Sequence, residues 1–322
     1  MTTVTQAPER ADGPDLVVID DGPDTGTRWR RLRRRLIAAP TPDSTVTAVA
    51  VRTLLGLSLL AAWVLAYAFA FSGIQEGRNQ RVLYAELRQQ LAEATAPLGG
   101  SIQPGSPLLV LDAPSVGIHH VVVVEGTTSS DLVNGPGHLA STPLPGQAGV
   151  SVLFGRSVTF GAPFRQITGL RPGTLIRVTT GQGEFAYRVD RVRHPGDPLP
   201  VPLTTGQSRL TLVAAVASGW RSGWAPQQSV YVDASLSSGT VQPAPGGRPG
   251  LVPVAAEPMQ GDSTALVGLV LWLQALLCVS VLAAFGRSRW GRWQTWLVAM
   301  PLLLACLWGA TQSAVALLPN LI

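Results

Sequence analysis

"GVSVLFGRSVTFGAPFRQI", Gly149 to Ile167, runs an apolar β-rich segment into a glycine-marked turn and on into aromatic residues. A turn carried on a rigid scaffold is where enzymes commonly display a reactive side chain. The residue displayed here is Arg156. A guanidinium stays protonated at physiological pH and cannot act as a general base. The stretch has the layout of a catalytic turn without a side chain suited to that chemistry.

Outward from this stretch the chain is a series of short β-rich runs: "PLLVLDA", "HHVVVVEG", "GVSVLFG", "TLIRVTTG", "EFAYRVDRVR", "RLTLVAAVA" and "SVYVDASL". Alternation in "EFAYRVDRV" puts Phe185, Tyr187 and Val189 on one face of a half-buried strand. Glycine and proline mark the joints. Several strands within about 130 residues predict a single β-barrel or sandwich with one core.

Composition places this β domain beside a membrane. The 322 residues are 46% hydrophobic and only 13% charged, against about 25% charged in soluble domains. Three apolar stretches are long enough to cross a bilayer: Thr53 to Phe71, Thr264 to Phe285 and Thr295 to Leu318. The first is too long and too far from the N-terminus for a signal peptide, and reads as a retained anchor. "RWRRLRRR", Arg28 to Arg35, precedes it, and Arg287, Arg289 and Arg292 lie between the other two. By the positive-inside rule both basic segments face the cytoplasm. The arginine block could also meet nucleic acid or anionic lipid, but a topology signal explains it, and no nucleic-acid partner is expected.

The expected organisation follows. Residues 1–47 form a disordered basic cytoplasmic tail, 48–72 the first span, 73–98 a helical stalk and 99–236 an extracellular β domain. Residues 237–263 form a Pro/Gly-rich linker, 264–286 the second span, 287–294 a basic cytoplasmic loop, 295–318 the third span and 319–322 an outer C-terminus. The protein is thus expected to be a multi-pass plasma-membrane protein. In the stalk, Ile74, Val82, Leu83, Leu87 and Leu91 make a helical stripe that Pro97 and two glycines terminate. That stripe suits packing on its own domain or on a partner helix.

Single motifs identify no chemistry. No phosphate-binding glycine loop stands at a strand–helix junction. The histidines are His119, His120, His138 and His194, and the cysteines, Cys278 and Cys306, both fall in apolar spans. Neighbours in a strand point to opposite faces, so His119 and His120 would not share a metal. Neither a metal nor any other cofactor is expected, and the outer domain can form no disulfide.

As an ordered series the landmarks "VVEG", "GPGH" with "PLPGQAG", "TFGAPF", "LRPGTLIRV", "LTLV" and "AP" before the last strand resemble the sortase family. They are most similar to the actinobacterial sortases grouped as class E. The resemblance covers roughly Pro104 to Leu236 and implies an eight-stranded, closed β-barrel, so the fold class expected is mainly β with three transmembrane α-helices and a helical stalk. Sortases are membrane-anchored cysteine transpeptidases that cut a sorting signal and join the protein to a cell-wall acceptor. The chemistry uses a thiolate nucleophile, a histidine acid and an arginine at the oxyanion.

At each of these positions the chain departs from the family. Counting from "TFGAPF", the histidine position is Arg156; counting through "LTLVAA", the cysteine position is Ala215; in "APQQSVYV", the arginine position is Gln228. No catalytic residue is therefore expected. Arg156, His138, Ser218, Trp220 and Trp224 are candidates for lining a degenerate cleft. Arg156 has two readings, a ligand carboxylate or phosphate and an acid of its own barrel such as Asp233; the tryptophans either floor a peptide or glycan site or cover the vacant core. The functional expectation is a pseudo-sortase of the cell envelope that binds a sorting-signal-like peptide or an envelope protein. Two alternatives stay open: a hydrolase or transpeptidase using Ser218, and a structural subunit that assembles with other membrane proteins through its spans.

Overall fold

The computed structural model describes residues 45–67, 71–216, 228–248, 250, 254–289 and 291–321. The expected cytoplasmic tail up to residue 44, and Ser218, Trp220 and Trp224, lie outside the described residues. Contacts divide the chain into two units, 1–57 and 58–322. The barrel lies within the second.

Eight strands form it: β1 (Pro107–Ala113), β2 (Ile118–Glu125), β3 (Gly137–His138), β4 (Gly149–Phe154), β5 (Leu175–Thr180), β6 (Gly183–Arg193), β7 (Ser208–Val216) and β8 (Gln228–Ser238). They close in the order β1-β2-β3-β4-β7-β8-β6-β5. Closure leaves no free strand edge to recruit other chains. Pairs β2/β3 and β4/β7 are parallel and the remainder antiparallel. The parallel β4/β7 pair requires a crossover, which the β5–β6 hairpin supplies.

The expected alternation holds in β6, where Phe185, Tyr187 and Val189 are all buried. They join Leu111, Leu153 and Leu212 in the main apolar core. Alternation fails in β2, because His120 takes a left-handed φ of 50°. Both His119 and His120 are consequently exposed, and the His120 backbone amide donates to Asp112 Oδ1 at 2.7 Å.

Among the described residues four α-helices accompany the barrel: α1 (Thr45–Ala66), α2 (Ser72–Ala92), α3 (Ala265–Arg289) and α4 (Arg292–Ala316). Among the described residues three helices are long and apolar enough to cross a membrane: Thr47–Ala66, Ala265–Arg289 and Arg292–Ala316, with mean hydropathies of 2.0, 2.4 and 1.5. Helices α3 and α4 pack closely through small residues: a Cβ on Gly309 would lie 2.3 Å from the Trp272 ring. Cys278 is exposed and Cys306 buried, and both are free thiols.

Helix α2 ends at Ala92, five residues short of Pro97, with Ala94 left-handed at φ 54°. Its stripe divides in two. Leu87 is fully buried with Val110 and Val122, and Leu83 and Leu91 pack beside it, whereas Ile74 and Val82 stay exposed. At 100° per residue those two sit off the line of the i, i+4 series. Gln80 then fastens the helix to β2, accepting from the Val122 amide at 2.8 Å and donating to the Val122 carbonyl at 3.0 Å.

The Pro/Gly-rich stretch after β8 is laid on the barrel in its described parts. Gln242 bridges to Gln147, and its amide donates to the Gly146 carbonyl at 2.8 Å. Composition alone read this stretch as a tether, since proline and glycine carry no apolar period. Its attachment comes from backbone groups and from one cation, Arg248.

Candidate functional site

Strand β4 delivers Arg156. Phe154 is level with Val213 in the parallel β4/β7 pair, and the Gly155 amide donates to the Val213 carbonyl at 3.0 Å. Two residues further on each chain stand Arg156 and Ala215, so the topology brings the two family-aligned positions to the same end of neighbouring strands. Gly155 is required there: a Cβ would lie 2.4 Å from the Phe164 ring. The turn beyond is tightly wound. Phe160, Gly161 and Ala162 take φ of 49°, 70° and 46° in succession, and two of the three are side chains for which this region is unfavourable. The Ser72 hydroxyl, at the start of α2, accepts from the Phe160 amide at 3.0 Å and helps to hold the turn.

Arg156 is fully buried, so it does not line an open cleft. Its Nη2 donates to the Ser129 carbonyl and hydroxyl, each at 2.8 Å; Nε donates to the Leu132 carbonyl at 3.3 Å and Nη1 to Thr159 Oγ1 at 3.1 Å. The guanidinium also lies over the Phe160 ring, 4.9 Å from its centroid. Burial pushes its pKa down to about 9, which leaves it a cation at neutral pH. Asp233 is held by a different arginine: Arg193 Nε donates to it at 2.5 Å, and Thr211 Oγ1 at 2.9 Å. The reading that paired Arg156 with Asp233 is therefore corrected. Arg193 extends from the adjacent β6, where Val192 is level with Val232.

Ala215 is 2% exposed and belongs to a buried apolar cluster with Leu132, Phe154, Val213 and Leu321. Gln228, opposite Val216, is exposed. Leu321 comes from the segment after α4, and it is fully buried. Its carbonyl accepts from the Ser157 amide at 3.0 Å and the Ser157 hydroxyl at 3.1 Å. The preceding Asn320 is also fully buried, its side-chain amide donating to the carbonyls of Thr127 at 2.7 Å and Glu257 at 2.9 Å. From the other side the Asn320 backbone amide donates to Gln260 at 2.9 Å, the Asp262 amide to Ala316 at 3.0 Å, and Thr127 Oγ1 to Ala256 at 2.7 Å. The residues after the third apolar helix are thus clamped between barrel and linker rather than free.

His138, the remaining described candidate, anchors a second buried polar group. Its Nδ1 lies 2.9 Å from Glu125 Oε2, and its Nε2 is 3.0 Å from the Pro143 carbonyl and 3.1 Å from Thr142 Oγ1. Arg248 completes the group, donating from Nη2 to Glu125 Oε1 at 2.8 Å, from Nε to Thr142 and from Nη1 to the Gly100 carbonyl. Both ring nitrogens are engaged, so this histidine serves packing and the linker. Among the described residues no three His, Cys, Asp or Glu side chains cluster to hold a metal.

Sequence reasoning missed Glu125, Arg248, Asn320 and Leu321. Arg248 is the one cation of the Pro/Gly-rich stretch, which is a usable signal. Nothing local marks Asn320 or Leu321, whose positions depend on how the third apolar helix meets the barrel.

A family model described as the sortase domain matches residues 111–219. Among solved structures, a sortase D5 transpeptidase from Clostridium perfringens is 23% identical, with 50% of this chain and 99% of that chain covered and a TM-score of 0.42. A sortase C from the same organism, with the C-terminal cell wall sorting motif, is 20% identical over 50% of this chain and 89% of that one, with a TM-score of 0.36. A mutant sortase E from Streptomyces avermitilis is 28% identical over 48% of this chain and 100% of that one, with a TM-score of 0.36. No curated protein matches. The closed eight-stranded barrel is sortase-like in fold, and residues 111–219 within it match the sortase-domain family model.

Proposed function

We propose that this protein is a membrane-anchored pseudo-sortase, with its barrel on the outer face of the cell envelope, that holds a peptide segment without cleaving it. Ala215 carries the reading. A sortase acyl-enzyme needs a sulfur at the nucleophile position, and the two cysteines of the chain lie in α3 and α4. Arg156, at the position aligned with the acid, has its guanidinium committed to the oxygens of Ser129, Leu132 and Thr159. A guanidinium whose N–H groups are held on these buried oxygens is not placed to protonate a leaving amine as an imidazolium is.

The test is incubation of the purified full chain with a sorting-signal peptide and an amine acceptor, followed by mass spectrometry. Intact peptide and unmodified protein are expected. A covalent adduct or cleaved peptide would overturn the reading, and loss of that activity in Ser218→Ala would assign it to the serine alternative. The barrel's outward orientation rests on the arginines flanking the spans and is checked by protease accessibility in sealed vesicles.

A further inference from the structure

A peptide-binding barrel needs a site of defined chemistry, and the region above Arg156 and Ala215 already contains a peptide. Leu321 is received as a ligand would be. Its carbonyl sits between two donors of Ser157, and its side chain enters an apolar pocket of Leu132, Phe154, Val213 and Ala215. Asn320 adds recognition by donating twice into backbone carbonyls of the barrel and the linker. A backbone hydrogen bond combined with a pocket for the adjoining side chain is a general mode of peptide recognition. Pro319 disfavours helical geometry in the residue before it, releasing the chain from α4.

The fit is incomplete. Among the described residues Asn320 Oδ1 is buried with no hydrogen-bond partner, which is unfavourable for a permanent core element. A tethered segment is also a strong competitor, since a short tether acts at millimolar effective concentration. We propose that the space over Ala215, beside Arg156, is a binding site for a short peptide of apolar–asparagine–apolar pattern, occupied in cis by residues 319–321 and open to a partner of the same chemistry in trans.

This rests on the peptide-binding reading above, so the experiment separates the two. The probe is a fluorescein-labelled peptide Leu-Leu-Pro-Asn-Leu-Ile, titrated by polarisation into the full chain in detergent, into a variant lacking residues 318–322, and into Asn320→Ala. Removing the segment is expected to tighten binding at least tenfold, and Asn320→Ala by about threefold to tenfold through loss of its two hydrogen bonds. In the shortened variant Ser157→Ala should weaken binding a few-fold. Equal affinity in all forms, or no binding to folded shortened protein, overturns the site. So does failure of both variants to fold, since the segment would then be a fixed wall. Mass spectrometry of the recovered peptide gives the other answer: a cleaved peptide refutes the non-cleaving function and leaves the site standing.

Discussion

Two buried polar groups hold the ends of the barrel's attachments, and they are built in opposite ways. Around His138 the barrel supplies the acid, Glu125, and the linker supplies the cation, Arg248, which reaches inward to a 2.8 Å ion pair. Around Arg156 the barrel itself supplies the cation, its acceptors among the described residues include carbonyls and hydroxyls, and the segment after α4 bonds to the neighbouring Ser157. The first arrangement neutralises charge locally. The second sets the cation among carbonyl and hydroxyl oxygens, and burial lowers the Arg156 pKa to about 9. Fastening a segment by an ion pair makes its hold depend on one side chain, whereas fastening by backbone carbonyls spreads it over several residues.

The largest effect should come from the cation of the barrel. Arg156→Ala would leave carbonyls of Ser129 and Leu132 without their donor and open a cavity, costing about 3–5 kcal/mol by thermal or denaturant unfolding. Arg156→Lys should recover less than half of this, because an ammonium cannot reproduce the planar fork. Arg248→Ala should cost less, about 2–3 kcal/mol, because His138 still faces Glu125. Its distinguishing sign is faster proteolysis within residues 239–250 while the barrel stays folded.

Glu76 sharpens the contrast between paired and unpaired acids. Its carboxylate packs against Gly161, where a Cβ would lie 2.5 Å from Oε2, and burial raises its pKa from 4.5 to about 7. A raised acid favours the protonated form in the fold, so the unfolded chain ionises first. Stability is then fully present below pH 4.5, declines as pH rises toward 7 and stays low above it. Discounted for partial solvent exposure, Glu76→Gln should raise Tm by roughly 2–4 °C at pH 8 and leave it nearly unchanged at pH 4. No gain at pH 8 would show that the carboxyl is solvated. The smallest effect belongs to Gln228→Ala, which alters an exposed strand end and should change stability by less than about 0.5 kcal/mol.

Local patterns carried most of the fold. Seven of the eight strands announce themselves as β-branched runs, and Phe185, Tyr187 and Val189 give their inward face directly. Strand β3 escapes because Gly137–His138 is too short to show a period. It exists through tertiary fit: a Cβ on Gly137 would lie 1.9 Å from the Gly126 carbonyl. At the site, Arg156 and Ala215 were legible by counting from landmarks, because strand register preserves spacing. Their burial was not legible, since it depends on Ser129, Leu132 and Leu321, separated from Arg156 by 24 to 165 positions. Arginine by type belongs at a surface, and the converging carbonyls and hydroxyls help to make its interior place tolerable.

One consequence concerns time. Ala215 is translated more than a hundred residues before Leu321, and two apolar helices, α3 and α4, are made between them. A nascent barrel that has closed its eighth strand therefore stands with its pocket uncovered until both helices have emerged and seated. The barrel's pocket is covered only once α4 has arrived, so a chain that has failed to place that helix carries an exposed apolar pocket that marks it as unfinished.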